Sequence, residues 1–145
     1  EASSDDRIVT IEDARELHPA QLNNVQLLAS KRAELVGKSD ASSLLESALR
    51  MRPDRIILGE VRGVEAFTFL EAINTGHPGS LSSIHADSPA AAFERLALMV
   101  LRATQAMSKD QITDYARSII DIVIQIGREA SGERRITEIV FEERT

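Results

Sequence analysis

The 145-residue sequence has no cysteine and no tryptophan. Without thiols there is no disulfide scaffold, no zinc-thiolate finger and no cysteine nucleophile, and the chain fits a reducing compartment. A chain of this length removes roughly 68–70% of its unfolded surface from water, so a core alone can hold it. Aromatic residues are scarce as well: four Phe and one Tyr leave little material for stacking bases. There is no block of like charge, and the net charge of −6 disfavours direct nucleic-acid contact and a membrane-surface patch. Long apolar runs are missing too. Ala90 to Phe93 and Leu96 to Leu101 fall far short of the ~20 residues that span a bilayer, so no membrane span is expected. The opening Glu1-Ala2-Ser3-Ser4-Asp5-Asp6 has no Met, no basic region and no apolar stretch; it reads as a cut point and not as a signal peptide.

What the sequence does have is alternation of short β-branched runs with helical stripes. Arg7 to Ile11 and Val25 to Ala29 read as strands, the second reached after Pro19 and Asn23-Asn24. Ser43-Leu44-Leu45-Glu46 matches a capping box and predicts a short helix ending before Pro53. Arg55 to Leu58 reads as a buried strand, followed by a helix with Ala66, Phe69, Leu70 and Ile73 inward and Gly76 as its C-cap. Ser80 to His85 alternates like a strand. Ser88-Pro89 and the capping box Ser108 to Gln111 open two further helices, and Ile122–Ile126 with Arg135–Phe141 form a hairpin. The pattern predicts an α/β layered domain, mostly parallel strands covered by helices on both faces, with C-terminal helices and a hairpin.

In such sheets ligands bind beyond the carboxyl ends of the strands. Two strands here run into acids: Ile11 is followed by Glu12 and Asp13, and Leu58 by Gly59 and Glu60. On adjacent strands about 4.8 Å apart, these carboxylates could share a hydrated Mg²⁺ or flank a water. Single acids at strand ends are more often solvated loop caps. Gly59 adds close approach, Arg62 a phosphate-matching fork, and the tract from Asn74 to His85 is expected to bring His77 and His85 to the same edge. His18, beside Pro19, is read as structural. Gly37-Lys38-Ser39 imitates the end of a Walker A loop, but Arg32 stands where its first Gly belongs, and no strand of sufficient length precedes it.

Arg50-Met51-Arg52-Pro53-Asp54-Arg55-Ile56-Ile57-Leu58-Gly59-Glu60-Val61-Arg62-Gly63, then Asn74 to Ala86, then Phe93 to Val100, together resemble the secretion-ATPase superfamily. These are hexameric motors of type IV and type II secretion, conjugation and type IV pili, and the resemblance is strongest to the type IV secretion branch. Ile11 to Leu17 resembles the family's Asp box, Ile56 to Arg62 its Walker B strand, and His77 to His85 its His box. The resemblance implies a RecA-like P-loop NTPase fold and hydrolysis of ATP with Mg²⁺ at the subunit interfaces of a homohexamer.

It also implies roles. Glu60 would orient Mg²⁺ and its water shell, with Glu12 and Asp13 as further metal candidates. Glu16 or Glu60 would position or deprotonate the attacking water, and the sequence does not choose between them. His85, supported by His77, would sense the γ-phosphate; Arg62, Arg50 and Arg52 are candidates for charge stabilisation, Arg50 and Arg52 being equally readable as salt-bridge residues. Partners would be inner-membrane secretion components, the location cytoplasmic and peripheral to the inner membrane. The family's Walker A loop and N-terminal domain are not in the sequence, so the chain reads as the C-terminal part of a larger ATPase, inactive alone. The competing reading is a degenerate, non-catalytic ring or interaction module.

Overall fold

Ile8-Val9-Thr10-Ile11-Glu12 forms β1, and all five residues are buried. A strand with no exposed position is covered on both faces, which its β-branched composition suits. β2 (Asn24–Leu28) lies on one side of it and β3 (Arg55–Leu58) on the other, with β4 (Leu81–Ser82) beyond β3. All three pairings are parallel. The register sets Val9 beside Ile56 and Ile11 beside Leu58, so β1 and β3 reach the carboxyl edge nearly level. β1 runs through Glu12, one residue further than the sequence pattern suggests, which turns Glu12 from a loop residue into a buried strand end.

The structure described covers residues 3–30 and 40–142; the Gly37-Lys38-Ser39 imitation lies outside them. By internal contacts the chain divides into two compact units, Glu1–Ile84 and His85–Thr145. In the first, α1 (Ala41–Leu49) packs on β1 and on α2 (Glu65–Asn74), burying Leu45 and Ala48 from one side and Ala66, Phe69 and Leu70 from the other. The cap of α1 is Asp40, not Ser43. The Asp40 carboxylate accepts from Ser43 N at 2.8 Å and from the Ser43 hydroxyl at 2.8 Å, so the helix starts a turn earlier and Ser43 is the capped residue. α2 is followed by its C-cap Thr75 and then by Gly76 at φ +111°.

The strand expected over Ser80 to His85 shrinks to Leu81–Ser82. Serine hydroxyls take over on either side: Ser80 Oγ accepts from Ile56 N at 3.0 Å, and Ser83 Oγ donates to Gly59 O at 2.7 Å. Such side-chain bonds compete with ladder pairing.

In the second unit, α3 (Pro89–Ala103) is capped by Ser88, whose hydroxyl accepts from Ala91 N at 3.1 Å. α4 (Lys109–Ile119) opens on the complete Ser108–Gln111 capping box. The two helices pack together, and Phe93, Leu96 and Val100 of the one and Ile112, Ala116 and Ile119 of the other are buried. β5 (Ile122–Arg128) and β6 (Arg134–Phe141) pair antiparallel and run further than the sequence suggests, because Gly127 and Arg128 continue the ladder. Ile122, Ile124 and Ile126 alternate onto one exposed face with Ile136, Ile139 and Phe141 opposite them. Among the described residues no helix is long and apolar enough to cross a membrane.

Candidate functional site

At the carboxyl edge of the first unit, three loops are tied together by backbone. Gly59 N donates to Ile11 O at 2.8 Å, and Val61 N donates to Ser83 O at 2.9 Å. A Cβ on Gly59 would stand 3.3 Å from Glu12 Cγ and 3.4 Å from Ile11 O; glycine therefore serves here the close approach of β1 and β3, protein against protein. The loops after β1, β3 and β4 surround a cavity of about 500 Å³, whose lining includes Glu12, Asp13, Glu16, Glu60, Arg62 and Ser83. That volume is in the range of small-molecule sites.

Arg62 lines this cavity. It donates through Nη1 to Asp13 Oδ2 at 2.6 Å and through Nη2 to Glu60 Oε2 at 2.5 Å. The guanidinium is therefore held between one acid from each strand, and its pKa is raised, chiefly by the hydrogen bond to Glu60 and then by that group's charge, with smaller help from Asp13 and Glu65. Arg62 is half exposed at 50%, against 36% for Asp13 and 16% for Glu60. Solvent reaches the guanidinium and screens its pairs, so an arriving anion can compete for it.

Glu12 and Glu16 point to different uses. Glu12 Oε1 accepts from Glu16 N at 3.1 Å and Leu17 N at 3.0 Å, while Oε2 is buried with no hydrogen-bond partner. The side chain is a clamp on the loop that carries Asp13 and Glu16, and its metal-facing capacity is half consumed. Glu16 is exposed and shares the cavity lining with Glu60, so the two acids considered for the attacking water face one space.

Three other expected residues, His77, Arg50 and Arg52, lie elsewhere in the first unit. α2 carries the chain from the carboxyl end of β3 back to the amino end of β4, and His77 falls in that return. Its carbonyl accepts from Ser80 Oγ at 2.8 Å, and Nδ1 lies 3.0 Å from Ala72 O, to which it donates as a cap on the last turn of α2. His77 is therefore on the edge opposite the cavity, contrary to the expectation that the tract brings both imidazoles to one edge. A parallel crossover cannot do otherwise: it must start β4 where β3 started. Arg50 and Arg52 precede β3 and belong to that same amino edge, exposed, Arg52 at φ +53°. His85 is exposed at the start of the second unit. Sequence reading missed Ser83, and it missed Glu65, a buried acid whose only signal was its place in the first turn of a helix.

A family model described as "Type II/IV secretion system protein" matches residues 2–136. The chain belongs to this family. It is 42% identical over 140 residues to the type IV secretion system protein VirB11 of Bartonella henselae, covering 95% of this chain and 39% of that protein. It is 37% identical to a putative conjugal transfer protein of Mycobacterium tuberculosis, covering 94% of this chain and 39% of that protein. The crystal structure of the VirB11 ATPase of the Brucella suis type IV secretion system, in complex with sulphate, superimposes with a TM-score of 0.83 at 36% identity, covering 96% of this chain and 42% of that one. The Legionella pneumophila ATPase DotB shares the fold, at 21% identity and TM-score 0.70, over 99% of this chain and 38% of that one. The chain thus spans about two fifths of the length of these relatives.

For this secretion family member the fit of Mg²⁺ rests on the donors present. Among the described residues no three His, Asp or Glu side chains are grouped to hold a metal. Mg²⁺ does not require such a cage: it keeps waters and takes one or two carboxylates besides substrate phosphates. Glu60 and Asp13, one from each strand end, fit that requirement.

Proposed function

We propose that the intact protein carrying this chain is an ATP-hydrolysing motor of a type IV secretion or conjugative transfer system, and that this chain is the C-terminal part of its RecA-like domain. The observation that carries the reading is the meeting of Glu16, Glu60, Asp13 and Arg62 around one cavity at the carboxyl edge of adjacent parallel strands. Homology to VirB11 along nearly the whole chain supports it.

In this reading Glu60, with Asp13, would hold Mg²⁺ and its water shell, and the metal would supply charge neutralisation to the phosphates. Glu60 or Glu16 orients the attacking water and accepts its proton. Arg62 leaves its weak pairs for phosphate oxygens, where its fork geometry matches the charge that phosphoryl transfer develops. Glu12 holds the Asp13–Leu17 loop in place. His85 senses the γ-phosphate. His77 supports from the far edge by fixing the end of α2, and Arg50 and Arg52, also on that edge, act on a neighbouring subunit of a homohexamer. The motor works in the cytoplasm, peripheral to the inner membrane through its secretion partners, without direct nucleic-acid contact.

The test is phosphate release and sizing on the full-length protein. Glu60→Gln is expected to keep ATP binding while lowering turnover by roughly 10²-fold or more, as loss of a general base does. Turnover equal to wild type would remove Glu60 from the chemistry, and a full-length protein without hydrolysis would leave a non-catalytic ring module.

A further inference from the structure

Glu65 is an acid with 8% of its surface exposed, at the first position of α2. Its Oε1 accepts from Arg62 N at 2.6 Å and from Gly63 N at 2.8 Å. The residue before it, Val64, lends the helix no side-chain cap. A Cβ on Gly63 would stand 3.1 Å from Glu65 Oε2, so the loop is shaped around this carboxylate. The division of labour along the loop is clear. Gly59 is tied to β1 through Ile11 O and Val61 to the loop after β4 through Ser83 O, while the next two amides, those of Arg62 and Gly63, are held by Glu65. Buried acids are tolerated when their oxygens accept charge-assisted hydrogen bonds, and here one donor is the amide of the residue whose guanidinium bridges Asp13 and Glu60, the other the amide next to it.

We propose that Glu65 is a positioning residue: by clamping the Arg62 and Gly63 amides it aims the Arg62 guanidinium at Asp13 and Glu60 in the cavity lining, and so governs turnover and not nucleotide affinity. This rests on the functional reading above. A misplacement of about 1 Å in such a group can lower a rate by roughly 10²-fold.

The test uses the full-length protein with Glu65→Ala, Glu65→Asp, Glu65→Gln, Arg62→Ala and the Arg62→Ala/Glu65→Ala double variant. Glu65→Ala is expected to lower kcat by about 10-fold or more with KM for ATP within about 3-fold. Glu65→Asp, one methylene shorter, withdraws the oxygen while keeping the charge and should fall likewise, which keeps the test open if the alanine variant folds poorly. Glu65→Gln retains an oxygen that accepts both amides and should stay within about 3-fold of wild type. The double variant should be no slower than Arg62→Ala alone, because the two act as one unit. In parallel, amide exchange at Arg62 and Gly63 should quicken in Glu65→Ala and Glu65→Asp and stay slow in Glu65→Gln.

Additive losses in the double variant, or a glutamine variant as slow as the alanine one, would overturn the clamp. Faster exchange with unchanged kcat would overturn its bearing on turnover while leaving the functional reading intact. A wild-type full-length protein that releases no phosphate from ATP would overturn that reading itself, an outcome that does not depend on Glu65.

Discussion

Truncating Glu12 to alanine tests whether the loop after β1 is held from within the sheet. Two amides, Glu16 N at 3.1 Å and Leu17 N at 3.0 Å, converge on Glu12 Oε1. Hydrogen bonds to a charged acceptor contribute about 1.5–3 kcal/mol each, and the burial of an unpartnered Oε2 costs about 1–3 kcal/mol, a penalty the truncation removes. The difference leaves a net loss of about 2 kcal/mol for Glu12→Ala, a drop of roughly 4–8 °C in melting temperature for a chain of this size. Glu12→Gln keeps an accepting oxygen but places an amide NH₂ where Oε2 is buried, so it should fall between. The assay is thermal unfolding of the chain followed by circular dichroism, together with hydrogen exchange at residues 13–17, which should quicken in Glu12→Ala. A melting temperature within about 1 °C of wild type, with exchange at Glu16 and Leu17 unchanged, would refute the clamp.

Two further perturbations follow from local geometry. The Asp40 pKa is lowered, first by the Ser43 backbone hydrogen bond and then by the Ser43 hydroxyl; a depressed folded value means the stabilisation is present above the unfolded pKa and lost as pH falls through the folded one. Asp40→Ala should cost about 1 kcal/mol at neutral pH, and the gap to wild type should shrink as pH falls through the carboxyl range; a pH-independent gap in urea titrations would contradict the cap. Gly79 sits at φ +71°, and a Cβ there would stand 2.1 Å from Arg55 Nη1, part of the Arg55–Asp6 pair. Gly79→Ala should therefore destabilise by roughly 1–2 kcal/mol for the left-handed backbone, plus the disturbed ion pair; an unchanged urea midpoint would contradict the turn.

Much of the candidate site was legible because its residues sit at the ends of regular elements. The Ile8–Ile11 and Ile56–Leu58 runs announce strands by composition, and acids just past them announce an edge. The serine caps of α3 and α4 were equally plain, since a hydroxyl followed three residues later by a free amide is a local device. Asp40 was missed in favour of Ser43 because both are cap-forming residues and only Ser43 has a glutamate three positions on; the extended backbone at Asp40, φ −76° and ψ 174°, and the bond from Ser43 N to its carboxylate decide for Asp40. His77 was misplaced for another reason: motif proximity along the chain says nothing about which end of a parallel strand a loop occupies.

The amino-acid sequence by itself determined the alternation of strands and helices, the two acidic strand ends and the family, because these follow from periodicity and from residue order. The tertiary structure alone decided which carboxylates are available and which are spent. Glu12, Asp13, Glu60 and Glu65 are the same kind of group in the sequence. Two are turned inward onto backbone amides of loops and two outward onto one guanidinium. That difference arises from strand register and loop closure, which bring residues 49 apart within hydrogen-bonding distance, and no local pattern records it.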